Sequence, residues 1–202
     1  MAEVRDEIIE IRGLRFHYRD WACDKPGAQD LVLLHGYTGH ARSWDAFAQA
    51  MSADYRVLAL DQRGHGESQW APADAYGTQE MVEDLKAFVA AMGLDDFVLL
   101  GLSMGGIVSF GYAGERPAEL SRLIIVDIAP EIAARGLETI LSNVARSDVF
   151  ESREAAFERA REDNPVPPEA HHRDRVYHSL MRTDDGRWTY RYDRALRDPG
   201  NR

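Results

Sequence analysis

The sequence predicts an α/β chain with a mostly parallel, twisted sheet and helices on both of its faces. Three observations carry this. Four short apolar runs recur in the first 130 residues: Leu31-Val32-Leu33-Leu34, Arg56-Val57-Leu58-Ala59-Leu60, Phe97-Val98-Leu99-Leu100 and Arg122-Leu123-Ile124-Ile125-Val126-Asp127. Nearly continuous apolar character over so few residues is the pattern of strands buried on both faces. Segments of helical period lie between the runs, the clearest marked by Met81, Leu85, Phe88 and Met92 with Val82 and Val89 beside them. Parallel neighbours need a crossover that returns over the sheet, so strand alternating with helix fits a parallel arrangement.

Taken in order, Ile8 to Ile11 and Leu14 to Tyr18 flank Gly13 and predict an antiparallel hairpin. Thr78 is the expected N-cap of the helix after the second apolar run, and Gly93 its C-terminal stop. Ile107, Val108, Phe110 and Tyr112 predict a further helix. From Glu131 the texture changes. Leu137, Ile140, Leu141 and Val144 mark one amphipathic helix, Phe150 to Ala160 a weaker one, and Val176, Tyr177, Leu180 and Met181 another, with Pro165-Val166-Pro167-Pro168 separating the last two. The expected division is therefore a core over residues 1–130, a helical lid or cap over 131–190 with no buried strand, and the start of a return to the core over 191–202.

Composition narrows the function. A formal net charge of −10 disfavours phosphate backbones and anionic lipid surfaces, so nucleic acid is not an expected partner. The arginines from Arg135 onward are mixed with acidic residues and predict solvated helix faces. One cysteine, Cys23, builds neither an internal disulfide nor a thiolate metal cage. The N-terminal residues lack the apolar core of a signal peptide, and no apolar run approaches the roughly 18 residues of a membrane span. The expectation is a soluble, cytoplasmic protein. With no Gly-x-Gly-x-x-Gly stretch and no usefully spaced metal ligands, the sequence implies no cofactor and no metal.

The chemistry-bearing segment is Gly101-Leu102-Ser103-Met104-Gly105, which directly follows one apolar run and opens a helical pattern. A serine in a sharp strand-to-helix turn is forced into a strained backbone, and glycines two residues to either side let strand and helix pass closely. The helix start also presents the N–H of Met104, where the positive end of the macrodipole can stabilise an oxyanion. The alternative is a glycine-flanked helix start with a capping serine. His35-Gly36-Tyr37 closes an earlier run, where a second oxyanion-binding N–H, that of Tyr37, is needed; the alternative is a tight turn with a core histidine. Asp61-Gln62-Arg63-Gly64-His65-Gly66-Glu67-Ser68 reads as a structural loop whose backbone Asp61 and Arg63 hydrogen-bond.

These segments, together with Gly106 and Val126-Asp127-Ile128-Ala129-Pro130, resemble the α/β-hydrolase fold family, in particular its esterase-like members with a helical cap. They occur in the family's order, and the resemblance covers Ile8 to about Pro130. It implies that Ser103 is the catalytic nucleophile and that the backbone amides of Tyr37 and Met104 form the oxyanion hole. A serine rather than an aspartate in the elbow points away from the dehalogenase and epoxide hydrolase branches and toward acyl transfer to water. The implied function is a serine hydrolase cleaving a carboxylic ester or related acyl bond of a small-molecule substrate. Carbon–carbon bond hydrolysis and perhydrolysis would use the same serine. Trp44, Trp70, Trp188 and Tyr37 are candidates to line the acyl pocket, or simply core.

The family's chain order is serine, acid, histidine, and here the sequence departs from it. No apolar strand follows Val126, and the seven histidines, His17, His35, His40, His65, His171, His172 and His178, all precede the position of the family's histidine. His171 and His172 point about 100° apart on a helix and are expected on a solvated surface rather than at a metal. Asp127 is a candidate triad acid, with loop ordering as the favoured role. The expectation is a fold incomplete at its C-terminal end, completed by a missing segment or a second polypeptide, or else a catalytically incomplete binding module.

Overall fold

The structure, a computed structural model, describes residues 2–128 and 146–198. Two units are distinguished: Met1–Glu131 with Tyr192–Arg202, and Ile132–Arg191.

The first unit is built on a six-stranded sheet of order β1-β2-β4-β3-β5-β6. Its strands are β1 (Val4–Ile11), β2 (Leu14–Trp21), β3 (Gln29–Leu34), β4 (Tyr55–Leu60), β5 (Phe97–Leu102) and β6 (Leu120–Val126). The hairpin β1–β2 is antiparallel with Ile11 opposite Leu14, and it joins the sheet where β2 runs antiparallel to β4. The remaining pairs, β3–β4, β3–β5 and β5–β6, are parallel. The four apolar runs thus lie in the parallel strands, with β3 lengthened by the polar Gln29 and Asp30 and β6 ending at Val126, before Asp127. β6, expected to be buried on both faces, has no buried residue because it is the edge strand of the described sheet.

Both faces of the central strands are buried because successive side chains point to opposite sides. Leu31, Leu33, Val57, Ala59, Val98 and Leu100 form one core with Trp21, Ala41 and Ala48, the last from α1 (Asp45–Met51). Val32, Leu34, Leu58, Leu60 and Leu99, the alternate residues, are equally buried. Met81, Val82, Leu85, Phe88 and Val89 are the buried stripe of α2 (Thr78–Met92), so the helical spacing read from sequence is the packed face. Its cap lies one residue earlier than expected: Gly77 is the N-cap, with no side-chain bond to the first turn, and Thr78 is already helical. Gly93 ends the helix in the left-handed region at φ 64°.

The second unit departs from the predicted all-helical cap. It holds α4 (Arg153–Asp163) and α5 (Glu169–His178), but also a three-stranded antiparallel sheet of order β7-β9-β8, from β7 (Val149–Phe150), β8 (Leu180–Arg182) and β9 (Trp188–Tyr190). Phe150, Leu180 and Met181, assigned to helices from their spacing, are strand residues. Strands of two or three residues are too short to show a period of two, so their apolar residues were absorbed into neighbouring helical patterns. Phe150, Ala156, Phe157, Val176 and Leu180 form this unit's core. The helix expected around Leu137 to Val144 lies outside the described residues. Among the described residues, no helix is long and apolar enough to cross a membrane.

Candidate active site

Ser103 follows β5 directly and is the N-cap of α3 (Met104–Gly114), with φ 50° and ψ −113°. A non-glycine residue at positive φ is strained by contact between its Cβ and the backbone. Two anchors hold it there: its N–H donates to the Val126 carbonyl at 2.9 Å, and its carbonyl accepts from the N–H of Ile107 at 3.0 Å. The residue is half-buried, and its side chain does not cap the helix, so the hydroxyl is not consumed by its own turn. The capping alternative is thereby removed.

The elbow works only with glycine at its flanks. A Cβ on Gly105 would sit 2.5 Å from the Leu34 carbonyl oxygen and 2.7 Å from that of His35, and one on Gly101 would collide with the Gly105 carbonyl. The same crowding places the end of β3 beside the serine: a Cβ on Gly36 would be 3.4 Å from the Ser103 Cβ. The segment carrying Tyr37 therefore borders Ser103, and Met104 opens α3 with its N–H outside the intrahelical ladder.

The segment from His35 to Ala41 is gripped at both ends by two adjacent residues after β4. Gln62 takes the first end: its N–H donates to His35 Nε2 at 3.0 Å and its side-chain amide donates to the His35 carbonyl at 2.8 Å. Asp61 takes the other, accepting from the Ala41 N–H at 2.5 Å. Gly39 N–H to the Gly36 carbonyl, 2.8 Å, closes the turn between them. His35 is fully buried, and that burial with the nearby His65 pushes its pKa down to about 3, so it is a neutral structural imidazole.

The loop after β4 wraps around the Asp61 carboxylate, which also accepts from Glu67 N–H at 2.9 Å and from His17 Nδ1 at 2.7 Å. Gly66, at φ 56°, leaves room for it, since any Cβ there would overlap the carboxyl group. Arg63 differs from expectation. Rather than bonding its own loop it pairs in a fork with Asp84 of α2, Nε–Oδ2 2.5 Å and Nη2–Oδ1 2.6 Å, and donates to the Ala75 carbonyl. His65 Nδ1 donates to the Arg63 carbonyl at 3.0 Å, and burial pushes its pKa down to about 4.

None of the described hydrogen bonds of the histidines leads to Ser103. His17, His35 and His65 are engaged as above, and His178 pairs with Asp174. His171 is exposed, but His172 is 1% exposed and packs edge-on against Phe157 at 5.8 Å, which corrects the expected solvated pair. The 100° between helix neighbours is what turned one of them inward. Asp127, next to Val126, is exposed and left-handed at φ 57°. Of the aromatic candidates for an acyl pocket, Trp44 packs on the core of the first unit, Trp188 on that of the second, and Trp70 is exposed. Among the described residues no group of three potential metal ligands occurs.

A strained serine between a parallel strand and a helix, bordered by a second strand-end loop, defines a class of site shared by many hydrolases. The chain belongs to the α/β hydrolase fold family, whose model matches residues 31–195. It is 33% identical over 136 residues to a 3-hydroxybutyrate-oligomer hydrolase of Cupriavidus necator, covering 66% of this chain and 46% of that protein. It is 33% identical over 142 residues to a monoacylglycerol lipase of Mycolicibacterium smegmatis, covering 67% and 50%. Among solved structures, an α/β hydrolase from Novosphingobium aromaticivorans superposes with a TM-score of 0.88 at 28% identity, over 98% of this chain and 72% of that one. The chain spans about half the length of these curated relatives. Matched relatives carry the names of esterases, lipases and epoxide hydrolases alike.

Proposed function

We propose that Ser103 is the nucleophile of a serine hydrolase that cleaves a carboxylic ester or related acyl bond through an acyl-enzyme. The observation that carries this is the backbone of Ser103, held at φ 50° with its side chain released from capping. The serine oxygen attacks the acyl carbon, the amides of Tyr37 and Met104 hold the developing oxyanion, and the alcohol departs with a proton. Water then attacks the acyl-serine, releasing the acid and restoring the hydroxyl. In the family's pattern a late histidine shuttles the serine proton; the described partners of His17, His35, His65 and His178 are other groups. Serine in place of aspartate supports the acyl chemistry over epoxide opening, because an alkoxide gives an acyl-serine that water can resolve at its carbonyl.

That His17, His35, His65 and His178 are bonded to other groups also favours a second reading, in which the elbow is assembled but turnover needs a base from elsewhere. Removing the histidine of a serine triad costs on the order of 10⁶ in turnover. Stopped-flow acylation by p-nitrophenyl acetate separates the two. A burst of p-nitrophenol absent from Ser103→Ala, followed by turnover above background, supports the hydrolase. A burst without turnover supports the second reading, and no serine-dependent release at all refutes both.

A further inference from the structure

The most unusual buried group outside the elbow is His17 of β2, whose side chain is 3% exposed and lies between two carboxylates. Its Nδ1 is 2.7 Å from Asp61 Oδ2, and its Nε2 is 3.0 Å from Asp6 Oδ1 on β1. A carboxylate only accepts, so both ring nitrogens must donate, and only the imidazolium carries two N–H groups. The backbone repeats the link: Asp61 N–H donates to the His17 carbonyl at 3.0 Å, while Ser68 Oγ accepts from His17 N–H at 2.9 Å and donates to the Asp61 carbonyl at 2.6 Å.

The charges around it come from every neighbouring element. Asp61 stands at the end of β4 and Glu67 in the loop beyond it, both adding negative potential at the ring. On the other side Asp6 is shared with Arg19 of β2, Nε at 3.0 Å, and with Arg42 of the 3-10 turn Ala41–Trp44, while Arg19 also binds Asp45 of α1. His35, near Asp61, is neutral. Burial opposes charge on His17, but the bond and charge of Asp61, with the bond from Asp6, outweigh it and hold its pKa above the ordinary value.

We infer that His17 is a positioning residue for the oxyanion loop: its imidazolium holds Asp61 as a buried carboxylate, and Asp61 in turn fastens the amide of Ala41 at the loop's far end. This assignment rests on the proposed role of the Tyr37 amide. When His17 loses a proton, one N–H remains for two carboxylates, and Asp61 is left buried without its counter-charge, a costly state relieved by water entry or proton uptake. Either event weakens the acceptor for Ala41 and loosens residues 36–40. Catalytic competence then falls at alkaline pH through a group that touches no substrate.

The test is nitrogen-15 NMR on the full chain, scanned from about pH 6 to about pH 10 so as to cross the histidine range and well above it. His17 should show both ring nitrogens protonated at neutral pH. As it titrates, the Ala41 amide should exchange about tenfold faster, while core amides such as Leu85 and Leu99 keep their protection. Asn at position 17 places an amide donor where Nδ1 stands, whereas Gln reaches the Nε2 position. His17→Asn should therefore keep Ala41 protected at all pH values, and His17→Gln should leave it exposed even at neutral pH. A neutral His17 at pH 7, an Ala41 amide indifferent to the titration, or equal loosening of Leu85 and Leu99 overturns the inference. If a variant fails to fold, the wild-type titration decides alone. Labelling of Ser103 by a fluorophosphonate is followed in parallel: its absence refutes the proposed chemistry, while the NMR result stands on its own.

Discussion

Asp61 and Gln62, consecutive in sequence, hold opposite ends of one loop: Asp61 the Ala41 amide, Gln62 the His35 ring and carbonyl. Adjacent residues after a strand point in different directions, so one strand end can clamp two places on its neighbour. The segment bordering Ser103 is thereby fixed by β4 rather than by its own sequence.

Gln62→Ala removes the donor to the buried His35 carbonyl and leaves that oxygen unsatisfied. A loss of about 1–3 kcal/mol is expected, measured by urea unfolding with an unchanged m-value. Labelling of Ser103 should slow as well. Unchanged stability would mean that the carbonyl finds another donor.

Gly105→Ala pushes a methyl group against two main-chain oxygens, which have no rotamer to escape into. The expected cost is about 1–3 kcal/mol, with a larger effect on labelling of Ser103 than on thermal midpoint. Gly114→Ala, with nothing within 4 Å of the new methyl, is the matched control and should be neutral or stabilising.

Arg63 and Asp84 are both nearly buried, at 4% and 3% side-chain exposure. Arg63→Met should cost about 3–5 kcal/mol because Asp84 keeps its charge with only Arg12 beside it. Arg63→Met with Asp84→Leu should recover a good part of that loss. A double-mutant cycle by chemical denaturation measures the coupling, and additive losses would contradict a buried pair.

Acid stability should be set by histidines as well as carboxylates. His35 and His65 have folded pKa values depressed to about 3 and about 4 from 6.5, so the unfolded chain binds protons that the native chain refuses. Their contribution is full above the unfolded value and falls as pH drops from 6.5 toward the folded values. At pH 5 unfolding should take up about two protons from this pair, read from the slope of stability against pH. His17 has the opposite sign: its raised pKa gives a contribution complete below 6.5 and lost as pH rises through its folded value. No acid slope between about pH 5 and 6 would refute the neutral, buried state of His35 and His65.

The centre of the sheet was legible because β3, β4 and β5 are buried on both faces, so that hydropathy alone marks Leu31–Leu34 or Phe97–Leu100, whereas the equally apolar run in β6 leaves Ile124 and Val126 exposed. The elbow was legible because glycine at 101 and 105 answers a local steric demand. The network around His17 was not, since its partners Asp6 and Asp61 lie 11 and 44 residues away and nothing in a strand pattern pairs them. Arg63 misled for the same reason, its partner being 21 residues on, in a helix. In the second unit, strands as short as Val149–Phe150 left no period to read.

The most direct measurement is covalent capture of the serine. The full chain is incubated with a fluorophosphonate, digested, and the adduct located by mass spectrometry. Modification is expected at Ser103, to disappear in Ser103→Ala and to spare buried serines such as Ser109. An unmodified Ser103, or equal labelling of serines at random, would contradict a strained nucleophile facing an oxyanion site.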